Sequence, residues 1–162
     1  MSKKSEGWTP SETRNAVTCR CLSSRRPLST DAVKDENEDR APLAVDGKQD
    51  TAWETEGYNQ NLGPFKRGVG LVLDLGSPQA ARTLTLTLPP GDGAQLTIYA
   101  SNDRPDDLEG WGEPLDGPRA AAGRVNFDLD GGPHQYLLVW FTSLPRDGAK
   151  FRGGIFEARL TS

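Results

Sequence analysis

The chain has 162 residues and a formal charge of −4, with 19 Lys and Arg set against 23 Asp and Glu. That length suits one domain with a flexible flank, and the acidic balance speaks against a general nucleic-acid binder, whose electrostatic footprint is basic. No apolar run approaches the roughly 20 residues of a membrane-spanning helix, so the chain as given is expected to be soluble. The opening Met1-Ser-Lys-Lys-Ser-Glu has no apolar stretch behind it of the kind a signal peptide carries.

Residues 1–30 are rich in Ser, Thr, Lys, Arg and Glu and show no sustained period. Such a composition buries too little apolar surface to offset its ordering entropy, so a flexible N-terminal segment is expected there. Only Ala16, Val17 and Leu22 could make a short ordered piece. Cys19 and Cys21 stand too close for an unstrained disulfide and are expected as free thiols. They also cannot complete a four-ligand zinc site, since the sole histidine, His134, is far off in sequence. Asp31, Asp35, Glu36, Glu38 and Asp39 then form an acidic stretch that is either a solvated loop or the first wall of a cation site.

Residues 44–53 (Ala-Val-Asp-Gly-Lys-Gln-Asp-Thr-Ala-Trp) read as a tight turn rich in oxygen donors, followed by an indole that can anchor it. Oxygen-rich turns suit a hard cation, and a polar turn ahead of a buried Trp explains the same residues without one. From Val69 the chain becomes a series of strands. Val69, Leu71, Leu73 and Leu75 alternate, and Gly76-Ser77-Pro78 is expected to end that run. Thr83–Leu88 alternates strictly, as a half-buried antiparallel strand does. Pro89-Pro90-Gly91-Asp92-Gly93 is a turn, and Leu96, Ile98 and Ala100 mark the next strand.

Residues 101–123 have no period and are expected as loop. Val125, Phe127 and Leu129 alternate again, and Asp130-Gly131-Gly132-Pro133 stops them. Tyr136–Phe141 is apolar on both faces, as a central strand covered on both sides would be. A polar loop at 144–153 precedes a last strand, 155–161, in which Phe156, Ala158 and Leu160 face one way and Glu157 and Arg159 the other. Further strands are plausible between residues 16 and 60. Many short strands, Gly/Pro turns and almost no helical period predict an all-β fold, an antiparallel jelly-roll β-sandwich over residues 31–162.

Four of these stretches carry a family resemblance. Ala44–Trp53 resembles the A-x-D-G-x-x-x-T-x-W signature of discoidin-like, galactose-binding-like jelly rolls. Gly70–Gly76 resembles their x-L-x-L-D-L-G strand, Ile98–Asn102 their V-Y-x-S-x-D strand, and Phe156–Leu160 their closing A-E-I-x-L. More narrowly, Glu54–Tyr58 with Gly63–Gly76 is similar to a run in C-terminal, non-cytoplasmic domains of actinobacterial MviN-type lipid II flippases. The resemblance implies a structural Ca²⁺ held by the side chains of Asp46, Thr51 and Glu157, with carbonyls near Ala44 and Asp50 completing the shell. It also implies an extracytoplasmic place, at the cell envelope, within a membrane-anchored parent chain.

A ligand cleft is expected among the long loops at one end of the sandwich. Tyr58, Phe65 and Trp111 could stack on a sugar ring, and Lys66, Arg67, Arg146 and Arg152 could grip polar or anionic groups, with Arg104 and His134 also available. The aromatic members could equally cover the sandwich edge, whereas Trp53 and Trp140 are expected in the core. No Ser or Cys stands in a strained elbow and His134 has no evident orienting partner, so no catalytic triad is legible. The expectation is a non-catalytic module that binds peptidoglycan, its lipid-linked precursor or another glycan, without nucleic acid. The alternatives are a carbohydrate-recognition accessory domain of a secreted hydrolase, and a protein-interaction or spacer domain without a small ligand.

Overall fold

A computed structural model describes residues 18–25, 38–48, 50–62, 66–105, 108–130 and 132–161. In chain order the strands are β1 (Thr18–Arg25), β2 (Trp53–Glu54), β3 (Lys66–Ala80), β4 (Thr83–Thr87), β5 (Gln95–Ser101), β6 (Asp116–Ala120), β7 (Arg124–Asp128), β8 (Pro133–Ser143), β9 (Arg146–Asp147), β10 (Lys150–Phe151), β11 (Gly154–Ile155) and β12 (Glu157–Thr161). Short 3-10 turns span Glu38–Val45 and Leu108–Trp111.

Two antiparallel sheets carry the fold, one ordered β1-β3-β8-β5-β6 and the other β12-β4-β7. Their period-two patterns are the reason they stack. Leu71 and Leu73 stand opposite Val139 and Leu137, and Ile98 stands opposite Val139 on the far side of β8. Leu84 and Leu86 on β4, Phe127 on β7 and Leu160 on β12 complete the same buried cluster from the second sheet. Trp53 lies within it, fully buried, its ring 6.4 Å from that of Phe141. The all-β jelly-roll sandwich expected from the alternation is the observed fold, and Trp53 and Trp140 are core residues.

The central sheet is covered on its other face too. Val72, Leu138 and Trp140 meet Trp111 there, with Tyr99, Leu108 and Tyr136 at the margin. Trp140 fits because β3 carries Gly68, while Gly70 lets the β3 and β8 backbones approach. A Cβ on Gly68 would come within 2.4 Å of the indole, and one on Gly70 within 2.0 Å of the Val139 carbonyl.

Several expectations are corrected. β1 falls inside the segment assigned to a flexible lead, so the sheet takes in residues ahead of position 31; an edge strand needs backbone partners more than an apolar face, and β3 supplies them along its length. The rest of residues 1–30 lies outside the described residues, and of Cys19 and Cys21 only the backbone is described. β3 does not end at Gly76-Ser77-Pro78. It shifts register there, with Gly76 at φ +85° and its amide bound to Asp74 Oδ1 at 2.8 Å, then pairs again at Gln79 and His134. β6 arises inside the expected 101–123 loop. Its Gly117-Pro118 hides the alternation, and a Cβ on Gly117 would meet the Leu96 carbonyl at 2.5 Å.

Candidate functional site

At the end of the sandwich where β8 finishes and β5 begins, two chain segments zip together into a narrow ribbon. Ile155 and Gly154 pair with Trp53 and Glu54, and the Thr55 amide reaches the Gly153 carbonyl at 2.9 Å. The Gly153 amide donates to Thr55 Oγ1 at 3.1 Å. Tyr58 and Phe151 then exchange backbone hydrogen bonds of 2.8 and 2.7 Å. Beyond them, β9 and β10 form a hairpin in which Asp147 pairs with Lys150 and Arg146 with Phe151. Its two-residue turn, Gly148-Ala149, has Gly148 at φ +67°, as a primed hairpin turn with glycine first requires.

Asn61 ties this ribbon to the large sheet. Its Nδ2 donates to Ser143 Oγ at 3.1 Å and to the Leu144 carbonyl at 3.3 Å, while Oδ1 accepts the Leu62 and Leu144 amides at 2.8 Å each. Ser143 Oγ in turn donates to the Gly93 carbonyl at 2.7 Å. The ribbon is therefore a braced platform, although it lies outside both sheets.

Its side chains divide by face. Tyr58 and Phe151 are half-buried against the main core. Arg146, exposed, lies over the Phe151 ring with Cζ 5.0 Å from the centroid. On the other face Arg152 donates to Asp147 at 2.8 Å, and Lys150 Nζ donates to Asn59 Oδ1 at 3.0 Å. Gly57 makes space for the guanidinium, since a Cβ there would stand 2.7 Å from Arg152 Nη2.

The structure thus brings together three of the ligand-binding residues expected from sequence, Tyr58, Arg146 and Arg152. Trp111 is corrected. It is 3% exposed in the cluster on the outer face of the large sheet, because the Leu108–Trp111 turn lays it over Leu138 and Trp140. Phe65 lies outside the described residues, and of Lys66 and Arg67 only the backbone is described, at the start of β3. His134 sits elsewhere, at the β7–β8 turn, with Nε2 3.0 Å from Asp130 Oδ1. Asn102 clamps that far end by accepting from the Gln135 amide and donating to the Pro133 carbonyl. Sequence reasoning missed Phe151, Lys150, Asn59 and Asn61. Asp147-Gly148 between Arg146 and Phe151 was the available hairpin signal.

The second cluster is a seam between the 46–51 turn and β12. Thr51 Oγ1 donates to Asp46 Oδ2 at 2.6 Å, and the Lys48 amide donates to Asp46 Oδ1 at 2.9 Å. The Gly47 amide crosses to Glu157 Oε1 at 3.1 Å. Asp46, Thr51 and Glu157 therefore do meet. Glu157 points away from the apolar face of β12, yet it is only 1% exposed because the turn covers it. Burial pushes its carboxyl above the ordinary value and the nearby Asp46 charge adds to this, against the opposing pull of Arg159 and the Gly47 amide. Asp46 is held below its ordinary value chiefly by the Thr51 hydroxyl. Glu157 Oε2 is buried and accepts no hydrogen bond among the described residues.

No family model matches the chain. Solved structures do resemble it. A chitosan-binding module of a chitosanase/glucanase from Paenibacillus sp. IK-5 superposes with a TM-score of 0.56 at 18% identity, covering 92% of this chain and 96% of that one. The CBM32 module of AlyQ, in complex with 4,5-unsaturated mannuronic acid, gives 0.59 at 13% identity over 92% and 97%. A Clostridium perfringens CBM32 module in complex with GalNAc-β-1,3-galactose gives 0.57 at 15% identity over 93% and 100%. The chain has the discoidin-like jelly-roll fold of these carbohydrate-binding modules. Similarity at this level of identity is a statement about fold.

Proposed function

We propose that the protein is a non-catalytic glycan-binding module whose contact surface is the ribbon end. The observation that carries this reading is the braced ribbon itself. It sets Tyr58 and Phe151 beside Arg146, Lys150 and Arg152 at one end of a sandwich whose structural neighbours are named as carbohydrate-binding modules. A few polar groups beside an aromatic edge, on a rigid support, are what sugar recognition requires.

Peptidoglycan or its lipid-linked precursor is the proposed ligand class, and the extracytoplasmic face of a membrane-anchored parent protein the proposed location. Both rest on the similarity of Glu54–Tyr58 and Gly63–Gly76 to the flippase-type run. A second reading, an accessory domain of a secreted hydrolase, is favoured by neighbours in which the matching region is a minor part of a longer chain. It is 33% of an AlyQ chain with CBM32 and alginate lyase domains and 27% of SpGH29.

A structural Ca²⁺ at the seam belongs to the proposal. Among the described residues no group of three or more His, Cys, Asp or Glu side chains is placed for a metal, so carbonyls and the Thr51 hydroxyl would have to share the coordination with Asp46 and Glu157. The buried, unmatched Glu157 Oε2 fits a cation, and calcium accepts such mixed oxygen shells of about six to eight ligands. When bound, it would cross-link the turn to β12.

NMR titration with muropeptides, chito-oligosaccharides and galactosides tests the binding reading. Amide shifts confined to 54–62 and 144–153 are expected. Their absence with every glycan would overturn it in favour of a protein-interaction or spacer domain.

A further inference from the structure

We infer that the ribbon end prefers saccharides carrying a carboxylate, and that Arg146 is the residue that contacts it. This rests on the glycan-binding reading of the same surface. Residues 146–152 hold three cations, Arg146, Lys150 and Arg152, against the single carboxylate of Asp147, in a chain whose net charge is −4. The hairpin is a local inversion of the protein's charge, and opposite-sign ligands are concentrated at such a point.

The three cations are not equivalent. Arg152 is committed to Asp147 at 2.8 Å, and Lys150 to the Asn59 amide oxygen at 3.0 Å. Arg146 forms no ion pair among the described residues, and its structural contact is the face of Phe151. A guanidinium parked over a ring keeps its in-plane N–H donors available. Those donors form a planar fork that matches a carboxylate with two parallel hydrogen bonds. The backbone pair Arg146–Phe151, one rung behind the closing pair Asp147–Lys150, fixes the residue's backbone, so little ordering remains to be done on binding.

Besides Asp147, two more acidic residues share the ribbon. Glu54 sits on the β2–β11 pair, where a Cβ on Gly154 would stand 3.2 Å from its Cγ, several residues back from the tip. Glu56, half-buried, also precedes Tyr58. Neither is part of the hairpin that presents Arg146.

Calorimetric titration of the full chain with three probes tests the inference: a neutral chito-oligosaccharide, an oligouronate, and a muropeptide whose acidity lies in its peptide carboxylates. At low salt the acidic probes are expected to bind about ten-fold tighter than the neutral one, roughly what one charge-assisted contact supplies. High salt should narrow that gap. R146Q should abolish the preference, lowering affinity for the acidic probes about ten-fold more than for the neutral one, with the folded state retained. R146K, which keeps charge and loses the fork, should retain only part of it. The oligouronate and muropeptide arms separate the two sources of carboxylate. Equal binding of neutral and acidic probes, or an acidic preference that survives R146Q, overturns the inference and leaves the glycan reading standing. Failure of all three probes overturns the inference, and with galactosides also silent in the NMR titration it overturns the glycan reading too.

Discussion

Among the described residues two arginines lie over phenylalanines, and they do different work. Arg119 on β6 sits 4.4 Å from the centroid of Phe127 on β7, which is fully buried. It also donates to the Asn126 carbonyl and stands 3.5 Å from Asp116, which itself accepts the Asp128 amide at 3.0 Å. β6 is the last strand of the large sheet and β7 an edge of the small one, so this arginine closes one side of the sandwich. Arg146 over Phe151 has the same ring contact but no carboxylate among the described residues. The cation–π pair does not distinguish scaffold from site. The fate of the remaining donors does.

Removing the rings should break the comparison most forcefully. Phe127→Ala empties a fully buried site and should cost about 3–5 kcal/mol in urea unfolding, with glycan affinity of the folded fraction unchanged. Phe151→Ala, at a half-buried position, should cost less stability and weaken acidic-glycan binding, because Arg146 loses its support. Equal effects of the two substitutions on stability and binding would dissolve the distinction. An intermediate effect is expected at Asn61, which links the ribbon to the scaffold. Asn61→Ala strands the amide of the buried Leu144 and should cost about 1–3 kcal/mol. It should also speed amide exchange at Tyr58 and Phe151, detectable by NMR. Unchanged exchange there would mean that the ribbon holds its shape without the clamp.

The division between scaffold and site also marks what could be read in the sequence. Strict alternation, as in Thr83–Thr87, follows from one face meeting a core, so that strand was legible. The two-faced apolar run of β8 correctly implied cover on both sides, but not what supplied it. Trp111 comes from an aperiodic loop, and only the fold lays it on Leu138 and Trp140. For the ribbon, pairs such as Tyr58 with Phe151 are stabilised by backbone bonds across 93 residues, and no local period records them. Tyr58, Arg146 and Arg152 could be suspected as residue types in loops; Asn61, whose role is a clamp, could not. At the seam, the spacing of Asp46 and Thr51 showed a local turn. Glu157 was placed beside it by resemblance, and the Gly47 amide accounts for that placement.

The distinction between a charge with its partners supplied and one left open extends to the anions, where the smallest effect is expected. Asp116 is met by Arg119 and the Asp128 amide. Glu157 is buried with one oxygen matched and the other open. Its folded pKa is raised above the ordinary 4.5, so the folded state takes up a proton more readily than the unfolded one. In chelator, ionised Glu157 therefore burdens the fold at neutral pH. The burden is relieved as pH falls from the raised value toward 4.5. Glu157→Gln has no such proton to gain, so in chelator it should melt above wild type at neutral pH, and the gap should shrink on acidification. Scans should stay above 3.8, because Asp46 is held below that value and its own contribution is lost on further acidification. Added calcium should reverse the order at neutral pH, stabilising wild type and leaving Glu157→Gln unmoved. If calcium changes neither protein while the acid-dependent gap persists, the open oxygen is a strained carboxylate and the ion is absent from the seam. If the gap itself fails to depend on pH, Glu157 is already matched in solution, and the seam resembles Asp116 rather than Arg146.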